Sequence, residues 1–168
     1  TSFFPSKNLG CYGDGGAIFT DDDALAAKLR YIVNHGMAIR YYHDEIGVNS
    51  RLDSIQAAIL DVKLKHLDEY AAARLRAADL YDSHFAKMPQ LQVPERYSRS
   101  SHVFHQYTLV TKDIDRDKLL EHLQAKNIPC AIYYPVPMHM QTAYRSDRYK
   151  EGDLPVTENL SRMVISLP

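Results

Sequence analysis

From Ser50 to Met88 the chain runs without a glycine or a proline. Those two residues are the usual interrupters of a helix, so a stretch this long without either predicts one long helix. The apolar residues agree. Leu52, Ile55, Ile59 and Val62 make one stripe at spacings of three and four. Leu60, Leu64 and Leu67 continue it, rotated, and Tyr70, Leu75, Ala78, Tyr81 and Phe85 carry it to about Met88. Ser50, with Asp53 three residues on, reads as an approximate capping box at its start. Pro89 and Pro94 close the segment. A helix this long rarely lies within one small domain, and its change of face midway predicts that it bridges two packing partners.

The flanks hold shorter elements. "TSFF" is β-prone and ends at Pro5; Gly13 to Gly16 is turn chemistry, and Ala17 to Thr20 reads as a short strand. Thr20 is then a plausible N-cap. Asp21, Asp22 and Asp23 suit the first turn of a helix that runs to about Asn34 and ends at Gly36. Beyond the long helix, His102 to Thr111 reads as a strand, Asp115 to Asn127 as a helix and Ile128 to Tyr134 as a second strand. A Pro-punctuated loop, a short helix over "TENLSRM" and a strand over "VISLP" follow. Strand, helix and strand in that order suit a small α+β domain.

Composition narrows the function classes. The 168 residues suffice for one domain with a core or for parts of two. With 20 basic and 21 acidic residues the net charge is −1, and no basic run marks a nucleic acid or an anionic membrane as partner. No apolar stretch approaches the ~20 residues that span a bilayer, and no signal-peptide pattern is visible. Cys11 and Cys130 stand far apart and form no disulfide framework, which suits a reducing, cytoplasmic setting. Neither has a second ligand at zinc spacing, so no metal site is expected. His102 and His105, three apart on an expected strand, would point to opposite faces.

The chemistry concentrates in "SFFPSKNLGCYGDGGAIFT". Lys7 sits between an aromatic pair and a glycine cluster. A solvated lysine beside a hairpin turn is the plain reading. A phosphate-binding P-loop is excluded because Lys7 precedes the glycines. An S-x-x-K acylase is excluded because position 4 is Phe4. What remains is a lysine flanked by Phe3, Phe4 and Leu9, the apolar setting that makes an amine nucleophilic.

Together with "GVNSRLDSIQAAIL" and "YYPVPMH", this block resembles the DegT/StrS family of sugar aminotransferases, which use pyridoxal 5'-phosphate (PLP). The resemblance runs over the whole chain. It implies an α/β fold, that of fold-type I PLP-dependent transferases, with residues 1–62 as the end of the large PLP domain and 63–168 as the small α+β C-terminal domain. The chain would then be the C-terminal half of an enzyme about twice as long, and alone would have little or no activity.

The same resemblance implies roles. Lys7 matches the lysine that holds PLP as a Schiff base and then moves the proton during transfer. Ser2 matches a serine on the PLP phosphate, and Asn49 an asparagine that reaches the phosphate in the neighbouring subunit. Asn49 also stands just before an expected helix start, where anions are favoured. Arg51 is open to two roles, holding a substrate carboxylate or phosphate, or pairing with Asp53. Asp53 and Gln56 read as structural. Tyr134 and His139 match a segment near the sugar-nucleotide pocket. The implied reaction moves an amino group from glutamate to a nucleotide-linked keto sugar, in a homodimer with shared sites. Two rivals are a sugar dehydratase, in which histidine replaces the lysine, and a non-catalytic regulatory or scaffold protein on the same fold. Lys7 argues against the first, and Lys7, Ser2 and Asn49 argue against the second.

Overall fold

Three aspartates set where three of the helices begin. In the computed structural model, which describes residues 1–168, α1 spans Asp23–Val33 and Asp22 caps it, accepting from the Leu25 amide at 3.0 Å. Helix α2 spans Ser54–Leu64, capped by Asp53 through the Gln56 amide at 2.8 Å. Helix α4 spans Arg116–Ala125 under Asp115, which accepts from Asp117 and Lys118. A carboxylate at that position satisfies orphan amides and meets the positive end of the helix dipole. The caps sit further along than expected: Asp22 replaces Thr20, and Asp53 replaces Ser50.

The long uninterrupted stretch forms two helices. After α2 the chain turns at Lys65 and His66, where the His66 amide bonds back three residues to Lys63. Helix α3 then spans Leu67–Phe85. One tight turn therefore separates the two stripes that the sequence showed as one rotating stripe. By contacts the chain divides into two compact units, Thr1–Tyr70 and Ala71–Pro168.

The first unit has helices α1 and α2, and its strand pairings are isolated bridges, Ser2 with Gly16 and Asn34 with Asn49. Its loop over residues 36–48 folds back on itself at Gly36. There φ is +67°, and a Cβ would stand 2.0 Å from the Glu45 carbonyl oxygen, so only glycine fits.

The second unit carries an antiparallel sheet. Strands β1 (Leu91–Gln92), β2 (Tyr107–Thr111) and β3 (Val164–Leu167) lie in the order β1-β2-β3, with Leu109 opposite Ile165. Helix α5 (Pro155–Met163) leads directly into β3, with proline in its first turn. Ala78, Phe104, Tyr107, Leu109 and Ile165 form the core, and Leu119, Leu120 and Leu123 of α4 pack against it. Two expected strands are shorter than read. Residues 102–106 are irregular, because His102 Nδ1 takes the Phe104 amide at 2.9 Å and Phe104 adopts φ +42°. Residues 128–134 pair only at Ala131, whose amide and carbonyl both bond Ser166.

Candidate active site

Lys7 stands on a closed loop. The Phe3 amide bonds the Gly15 carbonyl, the Cys11 amide bonds the Phe3 carbonyl and the Lys7 amide bonds the Phe4 carbonyl, each at 2.8 Å. Gly10 closes the loop: a Cβ there would lie 2.5 Å from the Pro5 oxygen and 2.7 Å from the Phe4 oxygen. The fully buried Cys11 thiol lies under it and donates toward the Phe3 and Gly13 carbonyls at 3.0 Å. Lys7 is half-buried, and Ser2 is exposed at the bridge to Gly16, its hydroxyl accepting from the Phe4 amide at 3.2 Å. Ser2 and Lys7 thus belong to one small hairpin.

Asn49 and Arg51 are tied to α1 by its C-cap, Asn34. The Asn34–Asn49 bridge is framed by the His35 amide to Val48 at 3.0 Å and the Ser50 amide to Val33 at 3.1 Å. The Asn34 side-chain oxygen takes Arg51 Nη1 at 2.8 Å. Of the two roles open to Arg51, the pairing with Asp53 is therefore not the one formed; Asp53 caps α2 instead. Both Asn49 and Arg51 face solvent.

Tyr134 and His139 lie in the second unit. Tyr134 is exposed, its ring edge-on to Tyr133 at 5.6 Å. His139 lines an open cleft with Met140, Arg145 and Tyr149 and is also tied to a buried carboxylate. Its side chain is 6% exposed, and its Nε2 lies 2.9 Å from the equally buried Glu158 carboxylate. Glu158 also accepts from the Gly152 amide at 2.9 Å and the Leu154 amide at 3.2 Å. Burial alone would raise the Glu158 carboxyl. The His139 bond and the Gly152 and Leu154 amides outweigh burial and hold it below the usual carboxylate range. This pair fastens the loop at 138–154 onto α5. The loop borders this open cleft of about 450 Å³, whose lining includes Arg145, Tyr149 and Lys150.

The donor set of the hairpin suits an aldehyde that carries a phosphate. Lys7 offers a primary amine that can condense with a carbonyl, and Ser2 offers a hydroxyl on the same hairpin. The chain matches the DegT/DnrJ/EryC1/StrS aminotransferase family over residues 1–168.

It belongs to that family.

The family's members are PLP-dependent sugar aminotransferases, which accounts for a lysine on a glycine-closed hairpin. The chain is 45% identical over its whole length to a UDP-2-acetamido-2-deoxy-3-oxo-D-glucuronate aminotransferase of Pseudomonas aeruginosa, covering 45% of that protein. It is also 45% identical, over 99% of its length, to a pleiotropic regulatory protein of Geobacillus stearothermophilus, again covering 45% of it. Among solved structures, DesV of S. venezuelae in complex with a ketimine intermediate superposes with a TM-score of 0.92 at 43% identity. The match covers 99% of this chain and 44% of that one. The chain thus spans less than half the length of the curated relatives it matches, and its fold is the matching part of this family's fold. No helix is long and apolar enough to cross a membrane.

Proposed function

We propose that this chain is the C-terminal part of a PLP-dependent aminotransferase that moves the amino group of glutamate to a nucleotide-linked keto sugar, for amino-sugar biosynthesis. The observation that carries the reading is the Lys7 hairpin, a half-buried amine on a loop that three 2.8 Å backbone bonds hold closed. In this reading residues 1–62 complete a large cofactor domain and 63–168 form the small domain.

PLP, when bound, supplies the electron sink that makes the α-carbon of the amino donor acidic. The chain's own residues supply position and proton transfer. Lys7 Nζ would hold the cofactor, and its amine would move the proton at the donor's α-carbon. Ser2 Oγ donates to the phosphate. Asn49, exposed at its bridge to Asn34, would reach the phosphate of a second subunit, so the working form is a homodimer. Arg51, aimed by Asn34, receives a carboxylate or phosphate of the substrate. Tyr134 and His139 border the sugar-nucleotide pocket, and the bond of His139 to Glu158 also holds its loop. Both cysteines are unpaired, which suits a cytoplasmic enzyme.

The test uses the full-length protein loaded with PLP. L-Glutamate alone should release about one equivalent of 2-oxoglutarate per site, and a nucleotide-linked keto sugar should then restore the starting absorbance. No release of 2-oxoglutarate would favour the regulatory role for which one relative is named.

A further inference from the structure

The two blocks that carry the proposed chemistry are far apart in sequence, Ser2 and Lys7 in one and Asn49 and Arg51 in the other. Helix α2 joins them. It starts at Ser54, three residues after Arg51, and two of its side chains, seven residues apart and so on one face, grip the Lys7 hairpin. Gln56 Oε1 accepts from the Tyr12 amide at 2.8 Å, and Lys63 Nζ donates to the Gly10 carbonyl. The Lys63 ammonium also stands 5.8 Å from the Tyr12 ring centroid. Leu52 adds an apolar contact, its Cδ1 lying 3.0 Å from where a Cβ on Gly15 would be.

These contacts fall on both sides of Cys11 and just after Lys7, where the hairpin has few apolar anchors of its own. Backbone amides and carbonyls at Gly10 and Tyr12 are strong bonding groups, and leaving them unmade loosens the loop. We infer that Gln56 and Lys63 are positioning residues: through the Gly10–Tyr12 backbone they hold the Lys7 hairpin, and with it the Lys7 amine, in the shape that cofactor binding needs. Neither side chain has to touch cofactor or substrate. The inference rests on the PLP reading for the role of Lys7, but the clamp itself is independent of that role.

The experiment uses the full-length protein and four variants, Gln56→Leu, Lys63→Met, Gln56→Glu and Lys63→Arg. Each protein is incubated with graded PLP and reduced with borohydride, and the label at Lys7 is quantified. Exchange of the Tyr12 amide is followed in the same samples. Loss of one clamp bond should raise the PLP concentration for half-labelling about fivefold to tenfold in Gln56→Leu and Lys63→Met. It should also lower kcat while leaving the KM for glutamate within twofold. Gln56→Glu keeps the acceptor and Lys63→Arg keeps the donor, so both should recover most of the loss. If the apolar variants do not fold, Gln56→Asn, whose shorter side chain cannot reach Tyr12, should show the same shift.

Half-labelling within twofold of wild type in Gln56→Leu, or in Gln56→Asn, and in Lys63→Met would overturn the inference. If wild type itself takes no label at Lys7, the PLP reading fails instead. The clamp then stands or falls on whether Tyr12 exchange accelerates in the Gln56 variants.

Discussion

The two units of this chain are held together by different means. In the second, Leu109 and Ile165 face each other across β2 and β3 at the centre of a cluster closed by α3 and α4. In the first, Cys11 and Leu60 are the only buried apolar side chains, while Phe19 is 81% exposed and Ile46 99% exposed. Its order comes from backbone bonds, turn glycines, polar side chains that reach distant backbone, such as Gln56 and Lys63, and the bond of Arg51 to the Asn34 side chain. The contrast teaches where each property resides. Apolar burial is concentrated in residues 71–168, and the lysine proposed to be reactive sits on a hairpin kept in shape by hydrogen bonds. Leu52, Ile55 and Val62, three of the four residues of the expected first stripe, lie on the surface of the first unit.

That division can be tested from its largest expected effect downward. In the full-length protein, Lys7→Ala should reduce transamination by at least about a thousandfold. Thermal unfolding of the second unit should stay where it was, because Lys7 lies outside that unit's core. A matching fall in Tm would merge the two roles that the comparison separates.

Next comes the core. Ile165→Ala should cost about 2–5 kcal/mol of unfolding free energy by urea titration, since it leaves a cavity at a site with no exposure. Ile46→Ala in this same chain should change stability by less than about 0.5 kcal/mol. Equal losses from the two would erase the difference between the units.

A pH effect should follow from Glu158. Its folded-state carboxyl is held below the ordinary value of 4.5, so it binds a proton less readily when folded than when unfolded. Its contribution to stability is therefore complete above that ordinary value and is lost as pH falls through the lower folded one. Unfolding midpoints of wild type should drop over that acid window, and Glu158→Gln should flatten the drop. An unchanged slope in the variant would remove the His139–Glu158 pair from the account.

The smallest effect is expected at Tyr107, whose hydroxyl donates to Asp82 at 2.6 Å. Burial, then this bond to Asp82, push its hydroxyl well above the ordinary tyrosine range. Tyr107→Phe should cost about 1 kcal/mol, because Asp82 keeps its ion pair with Arg96 at 2.6 Å. Calorimetry of the two proteins checks it.

The sequence made some of this legible and hid the rest for physical reasons. Helices announced themselves through periodicity, but their caps were displaced, Asp22 and Asp53 standing where Thr20 and Ser50 were expected. The break at Lys65–His66 was hidden, because both residues are compatible with a helix and only a bond to Lys63 marks the turn. The strand over 128–134 was over-read, because apolar letters do not reveal that only Ala131 finds a partner. Lys7 and Ser2 were singled out by the family resemblance of their glycine-rich block, and the structure sets both on one hairpin. The partner of Arg51 was not, because Asn34 meets it only after the loop over residues 36–48 folds back. His139 was read as a loop residue near substrate; the buried carboxylate that claims it is 19 positions away. Gln56 was read as structural, but its partner and the role of Lys63 were not legible, since both side chains bond backbone atoms, which carry no sequence signature.

The measurement closest to the central claim is chemical. The full-length protein is incubated with PLP, reduced with borohydride and digested, and the labelled peptide is mapped, with Lys7→Ala as control. The account predicts a single label on Lys7 that the control lacks. No label in the full-length protein, or a label confined to another lysine such as Lys28 or Lys63, would contradict it.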